Sequence, residues 1–329
     1  MVDDNTLLLS HVVQGITLPF HFLTFYIIIC KTPVIMKNVK WPLLLNHICC
    51  TFLDFSICAL VIPYFVVNSV GGFGVGLLNW LGVPVIAQVT LALLTVYFMY
   101  GSYNYLFESR SSVIQDNRFR ITRTRTRVIY YTANFLLNCS LFTMYMFIPE
   151  DQKLARLHSL QRNPCPTKDF FELDIFIFIV DDEFAILLAI FFSCFLFLNA
   201  QIQVFSHAFI CVYYLFIVPP TTTSLLTRKI QQKFFIGIVL QTLTFLCLAG
   251  LPFLSFVIIF YTNCSCQGMT NMGFIVIGLH GFGAAVTVLT VHNPYRRAVR
   301  EIFRTLRAKK LVTFQVQSSH ITPNNVVGE

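Results

Sequence analysis

Long apolar stretches without a charged side chain alternate with short basic segments along this chain. The charge-free stretches cover residues 5–30, 55–107, 128–149, 184–227 and 234–295. A helix needs about 20 apolar residues to cross the hydrocarbon of a bilayer, so the longest stretches hold more than one crossing. The pattern therefore predicts seven transmembrane spans, at about 8–30, 42–66, 78–106, 128–149, 184–217, 234–260 and 271–292.

Turn-forming residues separate the predicted spans inside the longest stretches. Residues 71–74 read Gly-Gly-Phe-Gly, and residues 262–268 read Thr-Asn-Cys-Ser-Cys-Gln-Gly. Both compositions favour a turn over a continued helix, between spans 2 and 3 and between spans 6 and 7. Pro219 and Pro220 mark the predicted end of span 5.

Composition supports a membrane protein, because 56% of the residues are hydrophobic and only 12% are charged. Soluble domains usually carry about 25% charged residues. The first apolar stretch follows Asp3 and Asp4 rather than a basic segment, so we interpret it as a retained span and not as a cleaved signal peptide. These features predict one helical membrane bundle, residues 1–292, followed by a short tail, residues 293–329.

The tail contains a second, different pattern. Val299, Ile302, Phe303 and Leu306 recur at helical spacing, and arginines occupy the opposite face. A helix of this kind lies in the plane of the membrane surface, with its basic face toward anionic lipid headgroups. We therefore predict a short amphipathic helix at about 295–310.

Lysine and arginine are distributed unevenly between the two sets of predicted loops. Nineteen of the 23 basic residues lie in one set of loops and in the tail, and four lie in the other set. Because basic flanks resist translocation, the basic side is predicted to be the cytoplasm. Seven spans then place the N-terminus outside the cell and the tail inside.

The sequence carries no motif for catalysis, metal binding or a cofactor. It lacks a glycine-rich phosphate loop, a Gly-x-Ser-x-Gly element and a His-Glu-x-x-His element. A retinal Schiff base needs a lysine in the last span, but there is none between Lys233 and Arg296. The net charge of +8 comes from short loops between apolar spans, which argues against nucleic acid and for membrane lipids as partners.

Two residues within the spans are candidate switch elements. Asp54 lies near the middle of predicted span 2, where an ionised carboxylate is costly unless it is paired or hydrated, so it must face the bundle interior. Its spacing to Pro63 is similar to that in rhodopsin-like receptors and suggests a buried switch or sodium-type site; a protonated structural aspartate is the alternative. Pro252 in span 6 is interpreted either as a hinge or as a static kink.

Three cysteines lie in predicted outer loops, where the compartment is oxidising. Cys165 is a candidate to form a disulfide with Cys264 or with Cys266. Asn263 begins an Asn-x-Ser glycosylation pattern on the same side. Its closeness to the membrane disfavours access of the glycosylating enzyme.

Short strings near the span boundaries, each weak by itself, form a more specific pattern together. They are Lys31-Thr32-Pro33, residues 36–41, Asn46-His47, Asp54, Pro63-Tyr64, Gly82-Val83-Pro84, Phe107-Glu108-Ser109-Arg110, residues 227–234, His280-Gly281 and Pro294-Tyr295-Arg296. In order and spacing they resemble the nematode serpentine chemoreceptors of class H, over nearly the whole chain. Class I of the same superfamily is the close alternative. Ser109 and Ser111 depart from the usual pattern, which has Asn and an aromatic residue there.

The resemblance implies a rhodopsin-like, all-α bundle of seven transmembrane helices. It also implies a G-protein-coupled receptor that detects small environmental molecules such as odorants, in the plasma membrane of a sensory-neuron cilium. A seven-span transporter or ligand-gated channel is the alternative function. Insect-type odorant receptors carry seven spans in the opposite orientation, so the charge bias disfavours them.

Receptors of this kind bind ligands between the outer halves of spans 2, 3, 5, 6 and 7. The resemblance therefore places the ligand pocket there. The candidate lining residues mix aromatic surface with few polar groups. They are Tyr64, Asn68, Gln88, Phe253, Phe256 and His280.

The inner end of span 3 resembles, loosely, the Asp-Arg-Tyr element of these receptors. Glu108 and Arg110 are two residues apart, so they do not face each other on a helix and are not expected to pair. Arg110 is expected to contact the G protein, or else to be an anchor at the membrane edge. Arginines of the following loop extend the positive surface and are expected to be individually replaceable. They are Arg118, Arg123, Arg125 and Arg127.

Overall fold

Helices account for most of the chain because backbone polar groups in an apolar solvent must bond within their own segment. The computed structural model describes residues 4–162, 168–172, 174–180, 183–218, 224–262 and 267–319. Its seven spans, numbered 1 to 7, are Asp4–Cys30; Lys37–Leu60; Val85–Ser111; Thr124–Cys139 with Ser140–Phe147; Glu183–Val212 with Tyr213–Ile217; Leu225–Thr262; and Gln267–Val291.

The predicted helical bundle is confirmed, and six of the spans are long and apolar enough to cross a membrane by length and composition. Span 4 is the exception within the described ranges. Its α-helix Thr124–Cys139 tightens into a 3-10 helix, Ser140–Phe147, before it ends. A 3-10 helix rises about 2.0 Å per residue instead of 1.5 Å, so the tighter winding lengthens this span.

Three spans contain a π-helical turn, and one is broken. The π turns are Ser56–Leu60 in span 2, Tyr213–Ile217 in span 5 and Leu246–Gly250 in span 6. Span 7 consists of two helices, Gln267–Ile277 and His280–Val291. Such irregularities free backbone groups inside the bundle and are frequent at functional sites.

Span 2 ends earlier than predicted, and the chain then forms a small antiparallel sheet. The sheet consists of β1 (Pro63–Val66), β2 (Gly71–Gly74) and β3 (Phe176–Ile177), in the order β1-β2-β3. The prediction of helix to residue 66 is wrong because Pro63 disfavours helical geometry in the residue before it. Ile62 there has φ of 44°, which is rare for a β-branched residue.

The predicted turn at Gly71–Gly74 is strand β2 rather than a turn. A Cβ atom on Gly72 would lie 2.6 Å from the carbonyl oxygen of Tyr64, so only glycine permits this close strand approach. The sheet is a small addition to a bundle that is otherwise helical. It packs on helix Gln152–Arg162, whose Arg156 donates to the carbonyl of Ile175 at 2.8 Å.

Span 6 begins at Leu225, earlier in the chain than the predicted residue 234, because Ser224 caps the helix. The Ser224 hydroxyl accepts from the backbone N–H of Thr227, as an N-cap residue does. Arg228 therefore lies on the helix, and its Nε donates to the carbonyl of Leu215 at 2.9 Å. Gln232 donates to the same carbonyl at 2.6 Å, so the π turn at the end of span 5 is tied to span 6.

A helix follows span 7 and runs from Asn293 to Ser319, longer than the predicted 295–310. Tyr295 is fully buried at its start, and its hydroxyl lies 3.0 Å from the hydroxyl of Thr32. Val299 and Ile302 pack against the bundle core, as an apolar face would. Phe303 is instead 54% exposed. The remaining short helices of the described ranges are Val34–Met36, Val67–Ser69, Leu77–Trp80 and Asp169–Glu172.

Candidate functional site

Asp54 is the centre of a polar cluster enclosed by spans 1, 2 and 7. Its side chain has no solvent exposure. One carboxylate oxygen, Oδ1, lies 2.8 Å from Nδ1 of His280, and Oδ2 lies 3.3 Å from Nε2 of His21. The backbone N–H groups of Gly281 and Phe282 also donate to the two oxygens, at 3.1 Å each. We call these five residues the aspartate centre.

The break in span 7 explains why a carboxylate is needed at this depth. The second helix of the span begins at His280, and the first N–H groups of any helix have no partner inside that helix. Asp54 accepts two of them, so it caps the helix from a neighbouring span. The positive end of the helix dipole also favours a negative charge here.

Glycine allows this contact to form. A Cβ atom on Gly281 would overlap the carboxylate of Asp54, and a Cβ on Gly278 would overlap the sulfur of Cys58. Both glycines therefore let span 7 approach span 2 closely at the break.

A second buried polar group connects spans 2, 3 and 6 on the inner side of the aspartate centre. Asn46 donates its Nδ2 to the hydroxyl of Ser102 at 2.9 Å, and its Oδ1 accepts from Nε2 of Gln241 at 2.6 Å. All three side chains are buried. Because a buried polar group is costly unless it is bonded, these contacts fix the relative positions of the three spans.

Spans 3, 4 and 5 are joined by another network. Asn104 donates to Oε1 of Gln203 at 2.6 Å and to the hydroxyl of Tyr130 at 2.9 Å. The Tyr130 hydroxyl donates to the same Gln203 oxygen at 2.7 Å. These bonds join the inner half of span 4 to spans 3 and 5.

Charged side chains join the inner ends of the spans. Glu108 is fully buried, and its Oε1 lies 2.9 Å from a guanidinium nitrogen of Arg127. Arg110 donates to the carbonyl of Asn38 at 3.2 Å, and its guanidinium lies 5.0 Å from the ring centroid of Phe234. The inner ends of spans 2, 3, 4 and 6 are therefore clamped together.

An apolar cavity of about 240 Å³ lies between spans 3, 4, 5 and 6. Leu53, Met99 and Phe245 form its most buried wall. Six further aromatic side chains line it; they are Tyr97, Tyr100, Phe135, Phe142, Phe197 and Phe253. A much smaller cavity, about 20 Å³, lies at the inner end beside Arg110, Leu215 and Gln231.

The family described as "Serpentine type 7TM GPCR chemoreceptor Srh" matches residues 3–305 of the chain. The chain belongs to the Srh family of serpentine chemoreceptors. It is also similar to "Serpentine receptor class H-72" of Caenorhabditis elegans, with 31% identity over 308 residues that cover 94% of this chain and 88% of that protein. No solved structure matches. The resemblance to class H is thus confirmed, and the family is one of receptors rather than enzymes.

Of the six candidate ligand residues, Phe253 is among the described residues that line the apolar cavity, and the other five are not. Phe253 lines the apolar cavity, where it stacks on Phe197 at 5.8 Å between ring centroids. The other five lie elsewhere: Tyr64 and Asn68 are buried by the outer sheet region, Gln88 bonds to the carbonyl of Val83, Phe256 packs on Phe274, and His280 belongs to the aspartate centre. Spans 2 and 7 contribute only one residue each to the cavity, and span 4 contributes five, against expectation.

The inner arginines also need a correction. Glu108 and Arg110 do not pair with each other, and the partner of Glu108 is Arg127. Arg127 is therefore not an interchangeable loop residue, because it neutralises a fully buried carboxylate. The other three loop arginines, Arg118, Arg123 and Arg125, are exposed.

Some predicted sites lie outside the described residues. They are Cys165, Cys264 and Cys266, with their disulfide, and the glycosylation candidate Asn263. These sites stay predictions, as do the functional roles of Asp54, Pro252 and Arg110. Pro252 is buried and directly follows the π turn Leu246–Gly250, with only Leu251 between them.

Replacing Gly281 by alanine is expected to displace the Asp54 carboxylate and to destabilise the receptor by about 1–3 kcal/mol, as overpacking of a filled core does. Gly101→Ala is the matched control, because a Cβ there meets nothing within 4 Å. It should be neutral or slightly stabilising, since alanine favours helix over glycine by about 0.5–1 kcal/mol. Thermal unfolding of both purified variants in lipid nanodiscs measures the difference. Equal melting temperatures would contradict a tight contact between spans 2 and 7.

Proposed function

We propose that this receptor detects small environmental molecules and activates a heterotrimeric G protein at its cytoplasmic face. We place it in the plasma membrane, at the cilium of a sensory neuron. The observation that carries the coupling proposal is the position of Arg110, which is bonded to the carbonyl of Asn38 and stacked on Phe234 of span 6. A long cationic side chain held in this way is released when span 6 moves away from span 3.

Span 6 has a point at which it can move. The π turn Leu246–Gly250 interrupts its regular hydrogen bonding, and Pro252 supplies no backbone N–H. Outward rotation of the inner segment Leu225–Phe245 about this point would carry Phe234 away from Arg110. It would also widen the small inner cavity beside Arg110, which gives a partner helix a place to insert.

The surface around this opening suits an acidic partner and an anionic leaflet. Arg118 and Arg123 are exposed in the loop that follows span 3, and Arg125 is exposed at the start of span 4. Each basic residue near an anionic membrane surface contributes about 1 kcal/mol of attraction. These arginines therefore favour the placement of this end of the receptor at the anionic inner leaflet. They also offer a basic surface to an acidic partner.

Expression of the chain in cultured cells with a promiscuous Gα subunit tests this proposal. Calcium imaging during a screen of volatile and water-soluble odorants should identify at least one agonist whose response needs the Gα subunit. The control is the same screen in cells with G-protein signalling blocked. An odorant-evoked current that persists under the block would favour the alternative, a ligand-gated channel or transporter.

A further inference from the structure

The apolar cavity between spans 3 to 6 has the size and lining of a ligand site. Among the nineteen described residues that line it, none is charged, and Asn138 is the only one with a side-chain amide. That amide already donates to the carbonyl of Asn134 at 2.7 Å. An ionic ligand would lose its hydration here without a partner that replaces it, which is strongly unfavourable.

Apolar side chains cluster at the outer end of the same spans, among the described residues. Ile179 and Ile186 are buried in a cluster that also includes Phe147 at the end of span 4 and Phe260 near the end of span 6. Phe178, which directly follows β3, also packs against the cluster. This apolar cluster, the outer plug, joins the outer ends of spans 4, 5 and 6.

The cavity is in contact with the parts of the receptor that the proposed signal requires. Phe245 forms part of its wall and lies at the start of the π turn in span 6. The ring of Phe245 is 5.8 Å from that of His280, which is bonded to Asp54. A molecule in the cavity therefore presses on both the hinge of span 6 and the aspartate centre.

We propose that this cavity binds an uncharged, largely apolar molecule of about ten heavy atoms, with one or no polar group. The size follows from comparison with an engineered apolar cavity of about 150 Å³, which accommodates benzene. A cavity of 240 Å³ holds a correspondingly larger molecule. The inference rests on the proposed chemosensory function and specifies its ligand class.

Naphthalene, an apolar molecule of ten carbons, is a suitable probe. The purified receptor in lipid nanodiscs, without G protein, is expected to show a saturable rise in melting temperature of a few degrees with naphthalene. Ala249→Phe fills the cavity from span 6 and should abolish the rise, and Ala200→Leu should reduce it from span 5. Ala133→Phe, on the exposed face of span 4, is the matched control and should respond like the unaltered receptor.

The charged analogue naphthalene-2-sulfonate should give no rise in any variant. An equal rise in the Ala249→Phe, Ala200→Leu and Ala133→Phe variants would mean that naphthalene acts through the lipid, and would overturn the proposal. So would an equal effect of the sulfonate. Because the assay contains no G protein, saturable binding without any cellular response would instead count against the proposed coupling and leave the cavity assignment standing.

Discussion

Asp54→Ala is expected to remove most folded receptor from the cell surface. The change leaves the backbone N–H groups of Gly281 and Phe282, and the rings of His280 and His21, without their shared acceptor. Each unsatisfied buried donor costs about 1–3 kcal/mol. Since whole domains are stable by only about 5–15 kcal/mol, the sum is a large part of the total. Surface biotinylation and melting in nanodiscs measure the loss.

Two further substitutions test whether the capping contact is the cause. Asp54→Asn keeps one acceptor oxygen, so it should retain part of the surface expression. Its melting temperature should lie between those of the unaltered receptor and Asp54→Ala. Asp116→Ala is the matched control, because Asp116 is exposed in the loop after span 3. It should shift stability by no more than about 0.5 kcal/mol. A normal melting temperature for Asp54→Ala would show that the helix in span 7 does not depend on this carboxylate.

The burial of Asp54 could be predicted from the sequence, but its partners could not. One acid in an apolar segment must face the bundle interior, whatever the fold. The identity of its partners depends on how spans 1, 2 and 7 pack, and His21 carries no local signal that distinguishes it from other polar residues of span 1. The pair His280-Gly281 is a more distinctive sequence feature than His21. Only the structure shows that Gly281 brings its own N–H to the carboxylate.

The outer sheet illustrates a different limit. Strands β1 and β2 have four residues each, and β3 has two, so no alternation long enough to predict a strand exists. The glycines of β2 favoured a turn by composition, yet they permit close strand pairing. Position along an apolar stretch predicts spans well, because crossing a bilayer requires a minimum length. It does not predict which residues form paired strands after a span ends.

The position of the apolar cavity also could not be predicted from span positions. Its volume depends on where small side chains line it, as Ala200 of span 5 and Ala249 of span 6 do. Expectations based on related receptors placed the pocket further toward spans 2 and 7, where the side chains of this receptor fill the space. Asp54 and His280 occupy the interior there. The polar side chains between spans 1, 2 and 7 fill that part of the bundle, and the apolar cavity lies between spans 3 to 6 instead.

Arg110→Ala is expected to preserve ligand binding and to reduce agonist-driven nucleotide exchange on the G protein by at least about tenfold. A hydrogen bond to a charged group contributes about 1.5–3 kcal/mol, and 1.4 kcal/mol is a factor of ten, so loss of one such contact to the partner is sufficient. The measurement needs an agonist from the odorant screen, receptor at equal surface level, and exchange assayed with purified G protein.

The same substitution removes the contact of Arg110 with Phe234, which holds the inner ends of spans 3 and 6 together. A cation–π contact of this kind contributes about 0.5–2 kcal/mol, so Arg110→Ala also weakens the closed state. If that effect dominated, basal exchange would rise while the agonist-driven rate remained, and the residue would be a clamp rather than a contact for the partner. Arg110→Lys separates the two roles, because lysine keeps the charge but loses the planar stacking surface. It should restore part of the exchange if the partner contact matters, whereas Arg118→Ala, the exposed control, should leave exchange unchanged.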